Sequence, residues 1–299
     1  MDSFNSFKYR LTREGIDQID LNKLERKSVA KDVSTENGSA LPIEVLGQYN
    51  YSFPHMYRLN GGRFQVLNLT DPQPKWKVFK YGIGKQVQFE SCCYSLSNNK
   101  FYVCGGIVKA TWRSFHKDTL GCRDIIEYNL TQNTTTRIGK MKVATCSHSM
   151  ILDNFDNLLI IGGFGVTKKA PENRIEIFNL VNRQIDIYYF DDEFGELECL
   201  GISCYNPYDR HLYIFAFQKE SHVMLFLKIN LLTKAKVKLS TPDFNPQRFG
   251  PLECIDKNQI AQISIDQTEI RKYDIKNNQW QCYATHTEMS PYAFEYKLK

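Results

Sequence analysis

The stretch LLIIGGFG, residues 158–165, decides which fold this chain is predicted to adopt. Four apolar residues, the pattern of a buried strand, run directly into Gly162 and Gly163. Two shorter stretches upstream, YVCGG at 102–106 and YRLNGG at 57–62, end in the same way. Glycine tolerates positive φ and allows close approach of another backbone. The double glycines therefore predict that three strands end where a side chain has no room.

A glycine-rich turn after a strand can also cradle a phosphate group, and this alternative makes a second prediction. A phosphate-binding loop of that kind leads into a helix, whose N-terminus completes the site. The segment VTKKAPENRIEIFNL that follows at 166–180 has the pattern of a loop and another strand. We therefore interpret the glycines as structural.

A second pattern recurs six times: an apolar residue, Asn or Asp, an apolar residue, and then a polar turn. The Asn or Asp positions, which we call the anchors, are Asp20, Asn68, Asn129, Asn179, Asn230 and Asp274. They are separated by 48, 61, 50, 51 and 44 residues, and joining the chain ends would add an interval of 45. A period of roughly 50 residues is that of a kelch repeat and exceeds the roughly 40–45 residues of a WD40 blade.

Nearly the whole chain resembles the kelch-repeat family of β-propellers. In that family an apolar second strand ends in Gly-Gly, a third strand ends in Tyr-Asp, and Trp opens the fourth strand. Segment 148–190 follows this order with HSMILD, NLLIIGG, NRIEIFNL and RQIDIYY. YDIKNNQW at 273–280 and LNLTDPQPKW at 67–76 match the later part of the repeat, whereas Gly-Gly is missing from three of the six repeats.

The resemblance implies an all-β fold, namely a six-bladed kelch-type β-propeller as a single domain over residues 7–299 after a short tail at 1–6. Short alternating runs bounded by Asn, Asp, Gly and Pro agree with an all-β fold. Five blades are expected at 43–81, 91–140, 147–190, 199–240 and 251–285. We expect the last blade to combine the N-terminal strands FKYRLT, GIDQIDL and KSVAKDV with a C-terminal strand in YAFEYKLK, residues 292–299. Such closure leaves no open sheet edge.

Composition narrows the classes of function. The net charge of +5 is mild, so we do not expect nucleic-acid binding. No window approaches 18 uninterrupted apolar residues, and the N-terminus lacks the apolar region of a secretory signal, so we expect a cytoplasmic protein without a membrane segment. The nine cysteines contain no C-x-x-C motif and are expected to be free thiols in a reducing compartment.

In kelch propellers the loops between the second and third strands share a face with the inter-blade loops, and that face usually binds the partner. The longest such loop here is 107–121, and it carries Trp and Arg, which are enriched in binding hot spots. The alternative is that the loop folds back and buries Trp112 and Phe115 against its own domain. The candidate partner-binding residues are Lys109, Trp112, Arg113, Phe115, His116, Lys117, Lys168, Lys169, Asp191 and Asp192. Such a mixture of charges suits a protein partner better than a phosphate backbone.

The function expected from the sequence is a non-enzymatic scaffold that binds a protein partner. Because strands are predicted from about residue 7, we expect no BTB or F-box region, so a role in a cytoskeletal, ciliary or ubiquitin-ligase assembly would need other subunits. No catalytic, metal-binding or cofactor motif is recognised, and the six histidines form no H-x-x-x-H pair. The alternative is a small-molecule enzyme, similar to a sugar isomerase, with its site at the central channel.

Overall fold

The structure is a computed structural model. It describes residues 7–12, 15–20, 25–31, 49–52, 55–60, 63–68, 77–80, 87–88, 91–95, 97–108, 120–167, 169–190, 196–221, 223–246, 252–263 and 269–284. These residues form β-strands and turns with almost no helix, so the all-β prediction is confirmed. Within these ranges no helix has the length and apolar character needed to span a membrane.

Larger sheets follow the predicted quartets. The N-terminal strands β1 (Phe7–Thr12), β2 (Gly15–Asp20) and β3 (Glu25–Lys31) form a three-stranded sheet. The second sheet contains β4 (Tyr49–Ser52), β5 (His55–Asn60), β6 (Arg63–Asn68) and β7 (Lys77–Lys80). The third contains β9 (Ser91–Ser95), β10 (Lys100–Cys104), β13 (Asp124–Asn129) and β14 (Thr134–Lys140).

The fourth contains β16 (Ser149–Leu152), β17 (Asn157–Ile161), β20 (Arg174–Asn179) and β21 (Ile185–Tyr189). The fifth contains β22 (Leu197–Asn206), β23 (His211–Gln218), β24 (Val223–Asn230) and β25 (Lys236–Lys238). The sixth contains β26 (Glu253–Cys254), β27 (Gln259–Ile263), β28 (Glu269–Asp274) and β29 (Gln279–Ala284).

Each of the five four-stranded sheets runs in sequence order from one edge to the other, so five predicted quartets exist as sheets. Two three-stranded sheets of very short strands accompany them. One contains β8 (Val87–Gln88), β11 (Ile107–Val108) and β12 (Leu120–Gly121), and the other contains β15 (Thr145–Cys146), β18 (Phe164–Gly165) and β19 (Ala170–Pro171). The expected C-terminal strand at 292–299 lies outside the described residues.

The chain divides into two compact units. The first consists of Met1–Asp32, Ser203–Tyr213 and Phe226–Lys299, and the second of Val33–Ile202 and Ile214–Leu225. In the first unit, the ring of Phe226 lies 5.0 Å from that of Tyr273 and 5.1 Å from that of Trp280. In the second unit, Phe101, Ile125 and Phe178 are fully buried members of the largest apolar cluster.

The six anchors of the sequence repeat have a common structural role, because each is the last residue of a strand. In three repeats the anchor side chain, that of Asn129, Asn179 or Asn230, accepts the backbone N–H groups two and three residues later, over 2.9–3.0 Å. Asp274 accepts the N–H of Asn277 over 2.8 Å. These bonds are those of an Asx turn, which reverses the chain into the next strand. The period found in the sequence is therefore the interval at which the same hairpin turn recurs.

The same turns share a strained position. The residue four places after each of these anchors has positive φ, between 52° and 60°. These residues are Asn133, Arg183, Lys234 and Asn278. Four turns with the anchor and the positive-φ residue at the same spacing are the strongest structural sign that these sheets repeat one unit.

Candidate functional site

Loops at one end of the sheets in the second unit are joined by short β-pairings. Before the third sheet, Val87 and Gln88 pair with Val108 and Ile107, just after the second strand of that sheet. Before the fourth sheet, Thr145 and Cys146 pair with Gly165 and Phe164 in the same way. Each segment that enters a sheet thus lies beside the loop that follows the second strand of that sheet.

A third instance of this arrangement is an ion pair rather than a β-pairing. The side chain of Lys219 lies 2.9 Å from that of Glu196, and the amide of Lys219 donates to the Glu196 carbonyl over 3.0 Å. Lys219 follows β23, and Glu196 directly precedes β22. We call the two small sheets and this pair the loop edge of the second unit.

The double glycines allow neighbouring parts of the loop edge to meet. Gly105, Gly106, Gly162 and Gly163 all have positive φ, from 58° to 89°. The amide of Gly106 donates to the carbonyl of Thr145 over 2.8 Å, and that of Gly163 to the carbonyl of Cys199 over 3.3 Å. A Cβ on Gly162 would lie 2.6 Å from the Cys199 carbonyl oxygen, closer than packing allows. The structural interpretation of these glycines is therefore confirmed, and glycines 61 and 62 lie outside the described residues.

A small apolar cluster lies under the loop edge. Ile107, Ala144, Cys146 and Val166 pack together, and each is at least nine-tenths buried. Because Ile107 and Val166 come from the loops after two successive second strands, the cluster fixes those loops to each other.

Three buried charges support the same loops. Arg174 and Glu176 alternate in β20, so their side chains project from one face of it, and Glu172 lies two residues before the strand. The Arg174 guanidinium binds both carboxylates, donating to Glu172 and, over 3.2 Å, to Glu176. Glu176 also accepts the backbone N–H groups of Lys142 and Val143 over 2.6 and 3.0 Å. Since all three side chains are almost fully buried, this cluster fixes the segment that enters the fourth sheet.

Phe164 lies on the outside of this supported structure. Its backbone pairs with Cys146 and Pro171 in the small sheet, while its side chain is 42% exposed. An exposed aromatic side chain on a rigid backbone is a typical anchor for a binding partner. Exposed charges of both signs surround the loops of this edge, at Lys142, Lys169, Glu196, Lys219 and Glu220.

One of the ten residues predicted for partner binding is described. Lys169 is exposed, has a φ of 52°, and donates its amide to the Gly165 carbonyl over 2.8 Å in the turn before β19. The other nine, Lys109, Trp112, Arg113, Phe115, His116, Lys117, Lys168, Asp191 and Asp192, lie outside the described residues.

Sequence reasoning missed Phe164 and the buried charges, although the sequence carried a signal for both. Phe164 stands between glycines directly after a predicted strand. The charges appear as ENRIE at 172–176, in which acidic and basic residues alternate at the start of an otherwise apolar strand. No protein-family model matches this chain, and no curated protein matches it either.

Proposed function

We propose that this chain is a kelch-type β-propeller that binds a protein partner through its loop edge. The proposal for the fold is supported by five four-stranded sheets whose strands follow in sequence order and by the Asx turn repeated after Asn129, Asn179, Asn230 and Asp274. It is also supported by the way in which double glycines meet the following segment in two successive repeats.

The proposal for the function depends mainly on one observation, the exposed side chain of Phe164 on a backbone that is fixed from two sides. Cys146 pairs with it within the small sheet, and the buried charge cluster holds the segment that leads to Cys146. A surface that is already ordered loses little conformational entropy when a partner binds. Mixed charges around it favour recognition of another protein, since opposite charges can be matched pair by pair.

The experiment compares two exposed phenylalanines at opposite ends of the same strand. Phe164 follows β17 and is 42% exposed, whereas Phe155 precedes β17 and is 46% exposed. We would purify the wild-type chain, Phe164→Ala and Phe155→Ala from the native cell, identify bound proteins by mass spectrometry, and measure affinity for each with purified components.

We expect a stoichiometric partner that Phe155→Ala retains and Phe164→Ala binds more weakly, by the 2 kcal/mol or more, about 30-fold, typical of a hot-spot residue. A partner that both variants retain equally would contradict the role of the loop edge. A triple variant with Trp112, Arg113 and Phe115 changed to Ala tests whether the long loop at 107–121 contributes to the same interface.

A further inference from the structure

Three side chains with soft or borderline donor atoms meet in the interior of the second unit. The thiol sulfur of Cys104 lies 3.2 Å from Nε2 of His148 and 3.2 Å from the thioether sulfur of Met150. Cys104 ends β10 in one sheet, while His148 and Met150 come from the segment that begins β16 in the next. The three residues therefore come together only when the two sheets pack.

The cluster is shielded from water. Cys104 is 1% exposed, His148 5% and Met150 7%. Within the part of the chain that the structure describes, Nε2 of His148 lies against the Cys104 thiol, whereas Nδ1 is buried with no hydrogen-bond partner. The thiol carries one proton, so it can donate to the imidazole or to the thioether but not to both.

Burial also fixes the charge state of the imidazole. It lowers the pKa of His148 from 6.5 to about 4, so the ring is neutral near pH 7 and carries a lone pair on one nitrogen. A neutral imidazole is the form that binds metal ions.

We propose that Cys104, His148 and Met150 form a binding site for a single Cu(I) ion. Thiolate and thioether sulfur are soft ligands that select Cu(I), and imidazole also suits copper. At zinc sites, metal bonds are about 2.0 Å to nitrogen and about 2.3 Å to sulfur. For each 3.2 Å separation, the sum of the two bond lengths is larger than the separation, so an ion bound to the Cys104 sulfur can reach each of the other two donor atoms. Binding exchanges the thiol proton for the metal: Cys–SH and Cu(I) give Cys–S–Cu(I) and a released H⁺, with no change of oxidation state.

Charge balance favours Cu(I) over a divalent ion. One thiolate, one neutral imidazole, one thioether and one Cu(I) sum to zero, whereas Zn²⁺ would leave an uncompensated positive charge in a buried site. Zinc sites are normally completed by Cys, His, Asp or Glu, and among the described residues no three such side chains converge. The third ligand here is a thioether, which is why a search for the usual metal-binding patterns in the sequence does not find this site.

The surrounding backbone supports the position of the imidazole. Gly105 has a φ of 71°, and a Cβ there would collide with Cε1 of His148, so the ring occupies the space that a side chain at 105 would take. The Ser91 hydroxyl donates to the backbone carbonyl of His148 from the first strand of the third sheet. Both contacts come from the third sheet or the residue directly after its strand β10, so the sheet that supplies Cys104 also positions His148.

The test is a competition for Cu(I) under anaerobic, reducing conditions, independent of the proposed partner-binding function. The full-length chain is equilibrated with a chromophoric Cu(I) chelator, and the loss of the coloured complex gives the amount and affinity of protein-bound copper. Met150→Leu removes one ligand while keeping all nine thiols, and Met141→Leu is the control because Met141 is equally apolar and fully buried.

We expect one Cu(I) per chain for the wild type and for Met141→Leu. Met150→Leu should weaken binding at least as much as the roughly 10–100-fold that loss of an outer-shell partner costs at metal sites. X-ray absorption of the copper-loaded wild type, which does not depend on any variant folding, should show one nitrogen and two sulfur ligands. Failure of the wild type to take copper from the chelator, equal binding by Met150→Leu, or a ligand shell without nitrogen would each overturn the proposal.

Discussion

The carboxylate of Glu176 accepts the backbone N–H of Lys142 over 2.6 Å, which connects the third strand of the fourth sheet to the segment that enters that sheet. Because Glu176 also binds the Arg174 guanidinium, its charge is compensated within the interior. Arg174 in turn is shared with Glu172, whose carboxylate lies against Gly165 in the loop after the second strand. The charge cluster at the start of β20 thus holds two parts of the loop edge: the segment that enters the fourth sheet and the loop after the second strand of that sheet.

Changing Glu176 to Gln should be strongly destabilising. The substitution removes one carboxylate from a buried cluster and brings an amide NH₂ group toward backbone N–H donors, which cannot bond to each other. Breaking a buried ion pair costs about 3–5 kcal/mol, and we expect a loss of that size in the free energy of unfolding, measured with urea. Hydrogen exchange should also accelerate at the amides of Lys142 and Val143 before it does in the sheets.

The matched control is Glu196→Gln, which breaks the exposed pair with Lys219. Exposed ion pairs are screened by water and salt, so this variant should unfold at almost the same urea concentration as the wild type. Equal destabilisation by the two variants would show that burial of the charges around Arg174 has no special role.

Changing Gly163 to Ala should also destabilise the chain. Gly163 has a φ of 85°, and a Cβ there would lie 2.7 Å from the carbonyl oxygen of Cys146 and from Cβ of His148. The unfavourable φ alone costs about 1–3 kcal/mol, and the collisions add to it. The melting temperature of this variant should fall well below that of Thr167→Ala, a change at an exposed position of the following turn. An unchanged melting temperature for Gly163→Ala would contradict the account of the double glycines.

The features predicted from the sequence are those that local chemistry determines. The anchors Asn129, Asn179 and Asn230 act on N–H groups two and three residues away, so their spacing directly marks the hairpins. The double glycines at 105–106 and 162–163 are equally visible, because only glycine fits a turn with positive φ in contact with another backbone.

The features that the sequence did not reveal depend on contacts between distant residues. Cys104 and His148 are 44 positions apart, and Glu176 and Lys142 are 34 apart, so neither pair forms a short motif. Phe164 was missed for a different reason. A phenylalanine in the loop directly after a strand can be either buried or exposed, and the sequence pattern is the same in both cases. Its exposure follows from the pairing of β18 between β15 and β19, which is a tertiary property.

The nine cysteines should differ widely in reactivity. None of the nine is in a disulfide, and Cys282 is the one that is exposed. Burial raises the pKa of Cys199 to about 12, and desolvation also raises that of Cys254 to about 12, so the reactive thiolate is scarce at both. A short pulse of iodoacetamide followed by peptide mass spectrometry should label Cys282 first and Cys199 only after denaturant is added. Labelling of Cys199 in the native protein as fast as Cys282 would contradict the packing of β22 against the fourth sheet.

The buried imidazole of His148 should make stability depend on pH. Its pKa is about 4 in the folded chain and 6.5 in the unfolded chain, so between these values the unfolded state binds more protons. The contribution of the neutral ring to the free energy of unfolding should therefore be complete above pH 6.5. It should be lost progressively as the pH falls from 6.5 to 4. The difference of about 2.5 pKa units corresponds to about 3 kcal/mol.

Urea unfolding of wild type and His148→Gln across pH 4–7 isolates this contribution, because the carboxylates that titrate in the same range are common to both proteins. We expect the wild type to lose about 3 kcal/mol more than the variant between pH 6.5 and pH 4, whatever the stability of the variant at pH 7. An NMR titration of the wild type gives an independent answer, since the ring protons of His148 should show no transition between pH 7 and pH 5. A transition near pH 6.5 would mean that the ring is open to water, and parallel urea profiles for the two proteins would lead to the same conclusion.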